Sequence, residues 1–288
     1  MKSAILGVAA LTIATVTGAQ AQPASVERPP ATPVIASKII LVGDSTTQVL
    51  SGWGGAFCSD HVTSAVACVN LARGGRSTYS YRAEGSWDLA LAEMKTPGFA
   101  RTFVMIQFGH NDQPGKPGRS TDLATEFPAN LKRYVLETRA AGADPILFTP
   151  LTRRQFRDGR LIRDLDAWAA AIRTVAAEMK VPLIDLNARS ADAVDHMGPT
   201  AANRFAQLPP SPEVAAAAKT GTTIAAASAS PAIPTPVRQD NASVEPMGQA
   251  KLAFDYTHLG REGADYFAGM VTQELAAAVP GMRPLLVP

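Results

Sequence analysis

Four short stretches of the chain hold side chains whose types and spacing can do chemistry. The run Ile39-Ile40-Leu41-Val42-Gly43-Asp44-Ser45-Thr46 ends a block of large aliphatics on a serine. Gly, Asp and Ser are turn and capping residues, so Ser45 is either the close of a buried strand or a hydroxyl presented for nucleophilic attack. A nucleophilic serine needs a base within hydrogen-bond reach, and the base needs an orienting acceptor. Of the four histidines, His61 and His196 lie in polar stretches and read as surface residues, His110 sits in F-G-H-N-D after an apolar run, and His258 sits in F-D-Y-T-H-L-G. Asp255 precedes His258 by three residues. In a turn, that spacing lets the carboxylate accept the Nδ1 proton and leaves Nε2 to face a serine. The same residues equally suit a helix start, with Asp255 or Thr257 capping a helix that begins near Gly260.

Acyl transfer also needs donors aimed at the developing oxyanion. Asn70 to Ser77 read N-L-A-R-G-G-R-S, where Gly74 and Gly75 allow a backbone N–H to approach a ligand closely, and Asn111 in G-H-N-D offers a side-chain amide. Each of these is equally an ordinary turn. The elements that must position them are strand-like apolar runs at 38–43, 66–70, 102–108, 145–149 and 181–186, separated by stretches several of which have helical spacing. Leu165, Trp168, Ile172, Val175 and Met179 form one helical stripe, and Phe267, Val271 and Leu275 another. Strands apolar throughout and alternating with helices predict a parallel sheet covered on both faces. In such sheets ligands bind beyond the carboxyl ends of the strands, where Ser45 stands.

The first 21 residues carry Lys2, an apolar stretch from Ala4 to about Val16, and small residues at Ala19 and Ala21, the pattern of a secretory signal peptide cleaved after Ala21. The apolar stretch is short against the roughly 20 residues of a membrane span. The expected location is therefore secreted or periplasmic. Residues 22–37, rich in Pro, Ala and Ser, read as a disordered lead-in, and folding is expected from Lys38. With 27 basic and 25 acidic residues the chain has no general field to draw nucleic acid or an anionic membrane, so neither is an expected partner. The two cysteines, Cys58 and Cys68, are expected to form a disulfide in an oxidising compartment. Residues 209–246, dominated by Ala, Pro, Ser and Thr, read as a flexible insertion. Asn241-Ala242-Ser243 within them matches a glycosylation acceptor.

Taken together, G-D-S-T, the Gly74-Gly75 segment, G-H-N-D and D-Y-T-H resemble the four blocks of the SGNH hydrolases, also called GDSL-like esterases. The agreement runs from Lys38 to about Leu275, apart from the insertion. G-W-G at 52–54, G-R-S followed by Tyr81 and R-A-E-G, I-Q-F-G-H-N-D at 106–112 and T-P-L-T-R-R-Q-F at 149–156 resemble the rhamnogalacturonan acetylesterases of carbohydrate esterase family 12. The resemblance implies a three-layer α/β/α sandwich around a central, mostly parallel five-stranded sheet of flavodoxin-like type, in one domain over 38–288. It implies Ser45 as nucleophile, His258 as base, Asp255 as its orienter, and an oxyanion hole of the Ser45 and Gly75 backbone N–H groups with the Asn111 amide. No metal or cofactor is implied, and the substrate would be an acetylated plant cell-wall polysaccharide, rhamnogalacturonan or pectin.

Arg76, Arg153 and Arg154 are candidate contacts to an acidic sugar, or else solvated or internally paired. Trp53, Tyr81 and Trp87 either stack on sugar rings or pack in the core. Two other functions fit the same sequence: an esterase of lipids or thioesters, which would want an apolar acyl groove, and a secreted carbohydrate-binding protein without turnover, against which Ser45, Asn111, Asp255 and His258 argue.

Overall fold

Alternation within the strands determines how this molecule is layered. In β1 (Ser37–Gly43), Ile39 and Leu41 point to one face of the sheet while Ile40 and Val42 point to the other, and all four are fully buried. Such a strand is stable only with a covering layer on each side. The computed structural model describes residues 30–224 and 252–288, and Val34–Pro288 forms one compact unit.

Five parallel strands make the central sheet: β1, β2 (Val66–Asn70), β3 (Thr102–Gln107), β4 (Asp144–Phe148) and β7 (Leu183–Ile184), in the order β2-β1-β3-β4-β7. β5 (Phe156–Arg157) and β6 (Arg160–Leu161) form a separate antiparallel pair. One face is covered by α1 (Gly54–Asp60), α6 (Leu186–Ala202) and α8 (Arg261–Ala278), whose Phe57, Val194, Phe267, Val271 and Leu275 pack on Ile39, Leu41, Phe103 and Met105. The other is covered by α3 (Ser86–Met94), α4 (Glu126–Ala140) and α5 (Asp166–Met179), which bring Trp87, Leu131, Tyr134, Trp168, Ile172 and Val175 onto Ile40, Val42, Val104 and Ile106. This is the expected α/β/α sandwich, and the two helical stripes face its core. Burial of each large side chain contributes about 1.5–3 kcal/mol before conformational entropy is set against it.

The strand order reverses direction between β1 and β3, one strand pair leading outward to β2 and the rest running to β7. At such a switch point the loops leaving two adjacent strands diverge to opposite faces and open a crevice at the carboxyl edge. Ser45 follows β1 and Asn111 follows β3.

Cys58 of α1 and Cys68 of β2 are joined by a disulfide across ten residues. The lead-in ends earlier than expected: β1 already includes Ser37, which donates a hydrogen bond to Ala65 O, and Ala36 just before it accepts one from the Ala100 N–H. The expected insertion is also shorter. Residues 209–224 are ordered, with α7 (Pro212–Lys219) capped by the Ser211 side chain, Pro212 in its first turn, and Ala218 buried. A Ser–Pro start followed by a run of alanines, the best helix former, outweighs the scarcity of large apolar residues. Thr223 N–H then binds Phe156 O at 3.0 Å and ties the segment to β5. The expected signal peptide, the remainder of the insertion and Asn241 lie outside the described residues. Among the described residues, no helix is long and apolar enough to cross a membrane.

Candidate active site

The turn after β1 is shaped by its own side chains. Asp44 Oδ1 accepts from the Thr46 N–H and Thr46 Oγ1, both at 2.8 Å, which bends the backbone directly around Ser45. Gln107, at the end of β3, accepts from Trp53 Nε1 at 2.8 Å and Thr47 Oγ1 at 3.1 Å while donating to Thr46 Oγ1 at 2.9 Å, so one amide locks the nucleophile turn to the neighbouring strand. Ser51 Oγ donates to Ser45 O at 2.7 Å. Gly52 and Gly54 let the following chain pass over this turn: a Cβ at Gly52 would lie 2.3 Å from Thr46 O and one at Gly54 would lie 2.1 Å from Thr47 O.

His258 arrives from a distant part of the chain. Its Nε2 is 2.9 Å from Ser45 Oγ, and its Nδ1 is 2.6 Å from Asp255 Oδ2. Asp255 Oδ1 accepts from the Thr257 and His258 N–H groups at 2.7 and 2.6 Å. The helix-capping alternative is not realised, since α8 starts at Arg261 after Gly260 and the Asp255 carboxylate bonds to Thr257 and His258 within its own turn. Burial pushes the Asp255 carboxyl up, but hydrogen bonds from the His258 ring and from the His258 and Thr257 backbone prevail and hold it at about 2. At neutral pH it is an anion, and it fixes the imidazole with Nε2 facing the serine.

The other two stretches converge on the same edge. β2 and β3 flank β1 on either side, with Gly75 in the loop following β2 and Asn111 in the loop following β3. Asn111 Nδ2 donates to Arg76 O at 3.1 Å, which joins the two loops. Gly75 has φ +75°, a left-handed backbone that a side chain would strain. The structure thus joins Ser45, His258 and Asp255 by direct hydrogen bonds, and places the loops that carry Gly75 and Asn111 after the two strands that flank β1.

Several other candidates are buried or paired within the protein. Trp53, Tyr81 and Trp87 are buried core residues: Trp53 stacks on Phe148, Tyr81 meets Phe108 edge-on, and Trp87 meets Tyr134 edge-on. None is available to stack on a sugar. Arg76 is buried against Glu84, with Nε at 2.9 Å from its carboxylate, and Arg153 pairs with Asp164. Arg154 is only 1% exposed and is likewise no sugar contact; its N–H and guanidinium bind carbonyls of the turn that holds Asp255 and His258. His61 binds Val287 O and His196 is exposed, both away from Ser45.

Sequence reasoning missed a buried polar layer under the site. His110 Nδ1 lies 3.4 Å from Asp44 Oδ2, both residues almost fully buried, which links the residues adjacent to Ser45 and Asn111. Burial pushes the Asp44 carboxyl up, but His110 and the Thr46 hydrogen bonds outweigh it and leave it below its ordinary value. Asp112 Oδ1 accepts from Thr78 N–H, Thr78 Oγ1 and Thr121 Oγ1. Burial nonetheless pushes its carboxyl up to about 7. The signal for this layer was the coincidence of two charged residues with the nucleophile and the amide in G-D-S and H-N-D.

Residues 41–217 match the profile of the GDSL-like Lipase/Acylhydrolase family. The chain is 34% identical over 163 residues to the probable rhamnogalacturonan acetylesterase YesY of Bacillus subtilis, covering 54% of this chain and 73% of that one. It is 35% identical over 176 residues to the rhamnogalacturonan acetylesterase RhgT of the same organism, covering 58% and 72%. Its fold is similar to the crystal structure of the B. subtilis protein YxiM, with a TM-score of 0.57, 23% identity, and coverage of 87% of this chain and 58% of that one. The profile match ends before Asp255 and His258, which the tertiary structure itself brings to Ser45. On its matching sequence and its sheet, the chain belongs to the GDSL-like lipase/acylhydrolase family and is a serine-type carboxylic ester hydrolase.

Proposed function

We propose that the protein removes acetyl groups from a carbohydrate, with rhamnogalacturonan as the polymer, through an acyl-enzyme on Ser45. The observation that carries this reading is the unbroken relay from Asp255 Oδ2 to His258 Nδ1 at 2.6 Å and from His258 Nε2 to Ser45 Oγ at 2.9 Å. Ser45 Oγ attacks the acetyl carbonyl as its proton passes to His258 Nε2. The Ser45 and Gly75 N–H groups and the Asn111 amide stabilise the oxyanion. Collapse breaks the ester bond, the sugar oxygen takes the proton from His258, and the acetyl group stays on Ser45. Water then attacks that ester with His258 again as base, which frees acetate and restores the hydroxyl. Asp255 remains ionised throughout and stabilises the imidazolium.

The polymer is proposed from the names of the two B. subtilis relatives and from the charge of the rim. Arg119 Nη1 donates to Gly75 O at 3.2 Å, and the nearby Lys116 ammonium, pushed down to about 8 by burial and then by Arg153 and Arg119, sits in a locally cationic loop that suits an acidic polysaccharide. Acetate release from acetylated rhamnogalacturonan set beside acetylated xylan tests this. Equal or greater release from xylan would discard the rhamnogalacturonan assignment. The N-terminal pattern supports export, and the exported protein is expected to begin at Gln22 when its mass is measured.

A second reading, an esterase of longer acyl chains, draws on one feature. Val49 and Leu50, exposed on the nucleophile loop, line with Ala56, Leu259 and Ala264 one side of a groove of about 490 Å³ whose remaining wall includes Asp60, Arg261 and Asp265. Hydrolysis of 4-nitrophenyl octanoate faster than the acetate would favour it.

A further inference from the structure

Arg154 binds every carbonyl of the D-Y-T-H turn. Its N–H donates to Tyr256 O at 2.8 Å; Nη2 donates to Asp255 O at 2.9 Å and to His258 O at 2.8 Å; Nη1 approaches Thr257 O at 3.4 Å. Four successive carbonyl dipoles thus converge on one residue. They would repel one another without a cation among them, and the planar guanidinium supplies several donors in a fixed fork. Burial pushes Arg154 down to about 10, partly offset by the Asp255 charge, so it stays protonated at neutral pH.

We infer that Arg154 is a positioning residue for ester hydrolysis, aiming the Asp255–His258 pair at Ser45 through the peptide planes between them. A trans peptide is planar, with its C=O and N–H pointing in opposite directions. The plane between Tyr256 and Thr257 has its carbonyl held by the Arg154 N–H and its N–H directed at Asp255 Oδ1. The plane between Thr257 and His258 has its carbonyl facing Arg154 Nη1 and its N–H directed at the same oxygen. With Oδ1 occupied by two backbone donors, Oδ2 is presented to His258 Nδ1. Arg154 therefore sits on one side of the turn and the carboxylate on the other, and the rigid peptides transmit the constraint. The far end of the turn is pinned independently, by Leu259 N–H to Ser51 O and Gly260 N–H to Phe205 O, both at 2.8 Å. Those two bonds fix where the turn lies, while Arg154 fixes how its peptides are rotated.

The inference rests on the proposed Ser45–His258–Asp255 relay, and hydrolysis of 4-nitrophenyl acetate tests it independently of any polysaccharide. In full-length Arg154→Met and Arg154→Lys, kcat per active site, counted by stoichiometric reaction with a phosphonate ester, is expected to fall roughly 10²-fold with KM within about twofold, the scale of a misplacement near 1 Å. Lysine keeps the charge but cannot span the carbonyls, so it should not restore the rate. Methylguanidinium at non-denaturing concentration should partly rescue Arg154→Met by refilling the vacated fork. Parent kcat per titrated site in either variant overturns the inference, including a loss of total activity that merely follows a smaller folded fraction. If Arg154→Met does not fold, Arg154→Lys decides alone on the same kcat criterion. Ser45→Ala in parallel separates the two readings: parent-level hydrolysis by that variant would remove the relay itself.

Discussion

At the scale of single residues, the proposed mechanism divides labour between groups that react and a donor that meets charge only in the transition state. In the proposed mechanism Ser45 and His258 exchange a proton, so Ser45→Ala is expected to abolish hydrolysis of 4-nitrophenyl acetate while leaving the melting curve unchanged, since alanine removes only the Oγ that meets His258 Nε2. Asn111 makes its resting hydrogen bond to Arg76 O, so its second amide proton is the one the oxyanion would draw. Removing one such donor costs about 10²–10³ in kcat, so Asn111→Ala should show that loss with KM nearly constant. A raised KM at parent kcat would instead make Asn111 a substrate-binding group.

At the scale of elements, the nucleophile turn is compressed between β3 and α1, and glycine makes the compression possible. A Cβ on Gly54 would lie 2.1 Å from Thr47 O and 2.6 Å from Asn70 Nδ2, neither of which can move without opening the turn that holds Ser45. Gly54→Ala is therefore expected to lower both the melting temperature and kcat; a variant that keeps both would show that α1 can slide away freely. The Cys58–Cys68 bridge ties the same helix to β2 across a short loop. Its removal in Cys58→Ser/Cys68→Ser should cost about 3 kcal/mol in denaturant unfolding, the cost expected of a short closed loop. Little change in kcat should accompany that loss if α1 stays seated through Phe57 and α8.

For the whole molecule, the buried layer beneath the site couples stability to pH. Asp112 titrates near 4 in an unfolded chain and at about 7 here, raised by burial. A carboxyl raised on folding stabilises the fold fully below its unfolded value, and that contribution is lost as pH rises towards the folded value. Asp112→Asn retains an oxygen to accept from Thr78 and Thr121 but never ionises. Its melting temperature relative to the parent should rise between pH 4 and pH 7 and then level off. A difference independent of pH would mean that Asp112 does not hold a proton in the folded protein.

The amino-acid sequence determined the layers and pointed to the proposed reacting groups, because both are local in their physics. Five apolar runs alternating with helical stripes leave few ways to bury both strand faces, and Asp255, three residues before His258, needs only a turn to meet it. Tertiary structure alone decided which polar and aromatic side chains are enclosed. Arg154 and Arg153 are neighbours of identical chemistry, yet one is buried against the carbonyls of residues 255–258 and the other pairs with Asp164, because those partners lie a hundred residues away in one case and eleven in the other. The same holds for Trp53, Tyr81 and Trp87, whose aromatic faces suit a sugar or a core equally until packing assigns them. It holds too for 209–224, where composition argued for disorder and a capped alanine helix tied to β5 prevailed. Periodicity records the direction a side chain takes from its own backbone. What it meets there is fixed by contacts that close long loops, and no local pattern encodes those.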